Sequence, residues 1–339
     1  MRGASPAPSI PTRNWALLAN RSIGRYGEIA RDSGIDFYRE VGCVVVAPDG
    51  SDYLGRTRQA AVSLGVETSL LDEGGLKDAF PFFAFADGCA GVFEAKGAGH
   101  ISPRKLVKAQ SLLAEKAGAA VIRDNVVSIR EEGGSAVVRT AGGLAYRAEK
   151  VLLAAGGLSI AENLLPRPIE MTVYGRTVTL FEVSEADAIH LAAMPSLIVD
   201  VPGIHIYLLP PIRYPDGKFY LKIGGDPDDL ALGNEAEMRA WFRTEGRESV
   251  RTHLQRIVAD LAPDLTPLSI STAACVVSQT QSGYPMIGYT ASPAIAVLTG
   301  CAGTSAKSSD EIGRLGAELL LSGGISQQGY STDFTPQFR

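Results

Sequence analysis

The sequence reads as an α/β protein at both ends, with an antiparallel sheet inserted between them. Three observations carry this reading. Near the C-terminus, residues 295–298 form a short apolar run. The small-residue turn Gly300-Cys301-Ala302-Gly303-Thr304 follows, and then Ile312, Leu315 and Leu319 recur at helical spacing, which makes a strand–loop–helix unit. From Ser102 to Gly157 the order is helix, strand, hairpin, strand. Between Ile169 and Ile270 the pattern changes to alternating strands separated by Pro-Pro and Pro-Asp-Gly turns, as in an antiparallel sheet with one open face.

Taken in order, residues 1–13 are rich in Pro, Ser and Arg and read as a loop or arm. A helical repeat follows over 15–33, then an apolar strand over 41–47 closed by Pro48-Asp49-Gly50. Residues 54–64 read as helix, 66–71 as strand and 72–80 as a helical turn leading into an aromatic loop, and 91–93 leads into His100-Ile101. Ser102 with Pro103 marks a helix start, and Gly118 its end. Residues 119–122 read as strand. Residues 126–130 and 136–140 flank Glu131-Glu132-Gly133-Gly134 as a hairpin, and 146–153 returns as one strand into the tight turn Ala154-Ala155-Gly156-Gly157. Strands are expected over 172–182, 205–210, 219–224 and 273–277. A long helical stretch is expected over 235–261, interrupted near Gly246. Ser308 and Glu311 have capping-box spacing before the last helix, which Gly323-Gly324 ends.

The 339 residues are 45% hydrophobic and 20% charged, which suits a protein with a sizeable core. A net charge of −5 without a basic cluster argues against nucleic acid as a partner. No apolar run is long enough to cross a bilayer, and the opening MRGASPAPSIPTRN lacks the apolar core of a secretory signal. Cys43, Cys89, Cys275 and Cys301 lie far apart, and His100, His190, His205 and His253 show no ligand-like pairing, so no metal site is expected. Reduced thiols in a cytoplasmic protein are the simplest expectation.

The run Gly300-x-x-Gly303-x-x-x-Lys307 before a helix, with the order of elements across the chain, resembles the FAD-dependent D-amino-acid-oxidase superfamily. The likeness is nearest to its branch of monomeric sarcosine oxidases and related N-methyl amino-acid oxidases. The resemblance implies a discontinuous FAD-binding, Rossmann-like domain over 1–38, 93–166 and 283–339. It also implies an antiparallel substrate domain over 39–92 and 167–282. The cofactor implied is FAD, contacted by the backbone of Val127 at the adenine, by the turn at Ala155 and Gly156, and by Gly300, Gly303, Thr304 and Ser305. Lys307 matches a lysine that sits over the flavin and assists its reaction with oxygen. Cys275 matches a cysteine that carries a covalent flavin bond, although a buried strand cysteine is the other reading. Tyr207 resembles an aromatic facing the flavin, or equally a half-buried strand tyrosine. Asp226 falls where a histidine faces the substrate, Arg13 is a counterpart for carboxylate-gripping arginines, and His100 and His205 read as structural. The implied activity is oxidation of the C–N bond of an amino acid or secondary amine by hydride transfer to flavin, with oxygen as acceptor.

One departure stands out. The family's opening strand, G-x-G-x-x-G turn and helix do not occur in these residues, and residue 1 corresponds to a point just after them. The pyrophosphate would then lack its glycine turn, so the expectation is weak FAD binding or none. A flavin-free relative serving as a binding or partner subunit is the alternative. A third reading, another nucleotide held at the C-terminal loop, would need a phosphate-binding motif that the sequence lacks.

Overall fold

Burial alternates with period two along the Thr172–Val183 strand, and this alternation organises the fold. The computed structural model describes residues 13–326 and 329–339, so the loop reading of residues 1–12 lies outside the described residues. Ser269–Gln279 pairs antiparallel along one edge of Thr172–Val183. Phe219–Gly224 and Leu230–Leu232 share the other edge. The sheet continues through Ile204–Arg213 and Ser196–Val201, then in parallel to Cys43–Pro48, and ends at Cys89–Glu94 and Ser69–Leu71. One face of these nine strands is the main core, with Val44, Phe181, Leu197, Leu208, Leu221 and Ile223 buried under the Glu248–Leu261 helix. Burying side chains of this size stabilises by about 1.5–3 kcal/mol each, so this face fixes the sheet's register.

A second layer is built on Ile295–Thr299, which pairs antiparallel with Met286–Tyr289 and parallel with Val151–Leu153. The helices Arg13–Ser33 and Ser309–Ser322 cover it through Trp15, Leu18, Ile312, Leu315 and Leu319. A Cβ at Gly316 would lie 2.6 Å from Leu298 Cδ1, so the bare glycine lets the last helix lie close on the strands. Beside this layer, Val126–Glu132 and Ser135–Thr140 form the expected hairpin. Gly133 and Gly134 both have positive φ at its turn, as a two-residue type I′ connection requires.

Several expectations are corrected. Residues 119–122 form no strand, and Val121 and Ile122 are 57% and 51% exposed. No described strand pairs with them. The stretch 146–153 breaks into Ala145–Ala148 and Val151–Leu153, which belong to different sheets. The helical stretch over 235–261, by contrast, is interrupted near Gly246 as expected: it forms Glu235–Trp241 and Glu248–Leu261, with Gly246 at φ 90° between them. The capping box does not form. Ser308 Oγ makes no cap bond, and Ser22 Oγ from the first helix accepts the Glu311 N–H instead, at 3.0 Å.

Candidate active site

The face of the large sheet opposite the core carries the candidate chemistry. Residues directly paired across strands point to the same side. Cys275 pairs with Arg176. Val178 pairs with Gly224, which pairs with Tyr207, which pairs with Ile198. Lys222 is two residues before Gly224, so it stands on this face, while its neighbours Leu221 and Ile223 are buried in the core. Farther across, Ser196, Cys43 and Glu94 are paired in one row. The register therefore brings Cys275, Lys222, Tyr207, Ser196, Cys43 and Glu94 to one half-covered surface.

The loop Gly300–Lys307 lies against this surface. Gly300 takes φ 70° and Ala302 φ 53°, so the chain turns sharply after the Ile295–Thr299 strand. Ala302 N–H donates to the Ser278 carbonyl at 2.8 Å, and a Cβ on Gly303 would lie 3.4 Å from Val277 Cγ1, one turn of the pleat from Cys275. Thr299 Oγ1 donates to the Gly156 carbonyl at 3.0 Å, which ties the loop to the turn holding Ala155 and Gly156. Lys307, exposed at the loop's end, acts electrostatically on both Glu94 and Cys43. Thr304 and Ser305 lie half-buried between Gly303 and Lys307.

The electrostatics of the face follow from burial. Desolvation pushes the Lys222 ammonium below the usual lysine range, and the Cys275 sulfur opposes that shift. Burial likewise raises the Tyr207 phenol. Glu94 is raised by burial, with Lys307 pulling the other way, and the Cys43 thiol is pushed up to about 11. Lys222 Nζ lies 5.6 Å from the centre of the Tyr207 ring. Lys222 escaped the sequence reading, yet the alternation Leu221-Lys222-Ile223 was the signal. A lysine between two core residues of a central strand must project from the opposite face.

Other predicted residues stand elsewhere. The Asp226 carboxylate, with its side chain 1% exposed, accepts from Thr177 N–H at 3.1 Å and from Arg247 at 3.2 Å, so it is a structural anchor. The Arg13 guanidinium donates to the Gly329 carbonyl. Nδ1 of His205 lies 2.9 Å from Asp200 Oδ1, beside a cleft of about 410 Å³ that Tyr53 and Asp200 line. Val127 is exposed and borders a separate cleft of about 350 Å³ with Asn125, Ala161 and Asn163. No metal-binding cluster occurs among the described residues, and no helix there is long and apolar enough to cross a membrane.

A flavin fits this arrangement at its ring end. The buried hydroxyls of Ser196, Thr304 and Ser308 have no hydrogen-bond partner in the structure, and they lie on the open face and along the loop. Buried polar atoms are nearly always satisfied, so these three suit a ligand with a polar edge. At the other end, the described residues hold no glycine turn at a helix N-terminus of the kind that cradles pyrophosphate.

Comparisons with known proteins bear on the fold. The chain superposes on NikD, an unusual amino acid oxidase essential for nikkomycin biosynthesis, in its Tyr258Phe form, with TM-score 0.73 and 17% identity over 95% of this chain and 82% of that one. L-proline dehydrogenase from P. horikoshii gives TM-score 0.75 and 16% identity over 96% and 84%. Glycine oxidase from Geobacillus kaustophilus gives 0.71 and 20% over 98% and 85%. No curated protein sequence matches the chain. The family model described as FAD dependent oxidoreductase matches residues 3–319, nearly the whole sequence. The chain belongs to the DAO family of FAD-dependent oxidoreductases.

Proposed function

We propose that this protein oxidises the C–N bond of a small amino acid or secondary amine, with oxygen as electron acceptor. The observation that carries the reading is the convergence of Lys222, Tyr207 and Cys275 on one sheet face, with the Gly300–Lys307 loop lying against it. Structural relatives named as amino-acid oxidases, an L-proline dehydrogenase and a glycine oxidase support the substrate class.

FAD, when bound, takes up the hydride from the carbon next to nitrogen and passes electrons on to the acceptor. The residues proposed to hold it are Gly300, Gly303, Thr304 and Ser305 in the loop, Ala155 and Gly156 in the adjoining turn, and Val127 at the hairpin's start. The thiol of Cys275 is the candidate covalent tether. Lys307 supplies positive charge at the loop, beside the Glu94 carboxyl. Lys222 supplies a second cation over the face, where a fixed positive charge stabilises negative charge developing on an oxygen species. Tyr207 gives the substrate an aromatic wall. The two-domain division, with residues 39–92 and 167–282 forming the substrate side, is part of this proposal.

The test is anaerobic mixing of the flavin-loaded protein with a panel of N-methyl amino acids, proline, glycine and D-amino acids. Bleaching of the visible flavin bands by one class, with peroxide formed on readmitting oxygen, is the expected result. A loaded protein that no amine reduces would refute the reading and favour a flavin-binding subunit without turnover.

A further inference from the structure

We propose that Gly224 is a positioning residue, the bare seat on which the Tyr207 ring rests, and that this seating holds Lys222 at the open face of the sheet. Its catalytic meaning rests on the oxidase reading above, but the packing claim does not.

Gly224 and Tyr207 are directly opposite one another on adjacent antiparallel strands. A Cβ built on Gly224 would come within 2.6 Å of Tyr207 Cε1 and 2.7 Å of both Cζ and the hydroxyl oxygen. The outer half of the ring therefore occupies the volume that any other residue's side chain would fill. The backbone does not demand a glycine here. Gly224 is absent from the left-handed residues of the chain, whereas the next residue, Gly225, has φ 150° and a Cβ there would meet the His205 carbonyl at 2.5 Å. A glycine within a regular strand loses packing and conformational entropy, so its presence calls for a close approach, and the ring supplies one. The second contact is on the same strand. Lys222 projects to the same side two residues earlier, and its Nζ lies 5.6 Å from the ring centre. The ring thus lies over the glycine backbone with the lysine beside it. A methyl group at 224 displaces the ring first, because the clashing atoms are the far end of a side chain, and the lysine loses part of its cover with it.

The test reads Lys222 directly, on flavin-free protein whose lysines carry ¹³C-methyl labels, with Lys222→Gln identifying its resonance. Lys222 is expected to titrate below the ordinary lysine value of about 10.4 in the wild type. Gly224→Ala should move both its chemical shift and its titration midpoint away from the wild-type values. Tyr207→Ala should do the same, and adding Gly224→Ala to Tyr207→Ala should change nothing further. If Gly224→Ala alone fails to fold, the double variant should fold, because the space is vacated. An unmoved Lys222 in folded Gly224→Ala, an equal effect in the Tyr207→Ala background, or a double variant that also fails to fold would each overturn the proposal. Because no flavin is present, the outcome stands apart from the oxidase test in both directions.

Discussion

Replacing Glu311 with alanine is expected to destabilise the protein by about 3 kcal/mol, and the partners of Glu311 set that figure. Its side chain is 2% exposed. It accepts from Arg314 Nε at 2.6 Å and Nη2 at 2.8 Å, from the Tyr330 hydroxyl at 2.8 Å and from Arg21 at 3.3 Å. Removing one member of a buried ion pair typically costs about 3–5 kcal/mol, because the partner charge is stranded. Here Arg21 and Arg314 are 29% and 31% exposed and regain water, which places the cost at the low end. At roughly 2–4 °C per kcal/mol, the melting temperature should fall by about 6–12 °C. The pH dependence has a definite sign. Burial would raise the Glu311 carboxyl, but the bonds from Arg314 and Tyr330 outweigh it and hold the group below its ordinary 4.5. A depressed carboxylate stabilises the fold above that value, and the contribution is lost as pH falls through the folded-state value. The gap between wild type and Glu311→Gln should therefore be full at neutral pH and close on acidification below 4.5. Calorimetry across this range is the assay. A loss below about 1 kcal/mol in the alanine variant, or a gap that ignores pH, would refute the reasoning.

Two further outcomes follow from the site. Lys222→Gln should lower oxidase turnover by about 10²–10³-fold, the usual cost of losing one group that stabilises developing charge, with the protein's melting temperature little changed; steady-state kinetics decide it. Cys43 and Cys301, each pushed up to about 11 by burial, should resist alkylation in native protein at mildly alkaline pH and react once denaturant is added, as mass spectrometry would read.

Much of the fold was legible because local pattern and tertiary packing agree. Phe219–Gly224 has the bounds expected for it, and the Gly133-Gly134 turn follows from its two glycines. The misreadings share a cause. Ser308 and Glu311 have the spacing of a local cap, but Ser22, 289 residues away in sequence, competes for the same N–H. Asp226 sits one residue past a glycine pair in a loop, and nothing local announces that Thr177 and Arg247 enclose it. Residues 119–122 have strand composition, and pairing cannot be read from composition. For the site, resemblance pointed to Lys307 and Cys275, whereas Lys222 emerged from register. Knowing that Tyr207 pairs with Gly224 puts the lysine beside the ring, and that pairing joins residues from separate strands.

A visible absorption spectrum decides whether these residues form a flavin site. The purified protein should be read as isolated, after incubation with FAD, and again as the acid-precipitated pellet. Yellow flavin bands in the soluble protein are the expected result. Colour kept in the pellet, and lost in Cys275→Ala, would assign the tether. A folded protein that stays colourless and takes up no added FAD would contradict a flavin site, and would leave the orphaned hydroxyls of Ser196, Thr304 and Ser308 to be explained by another ligand.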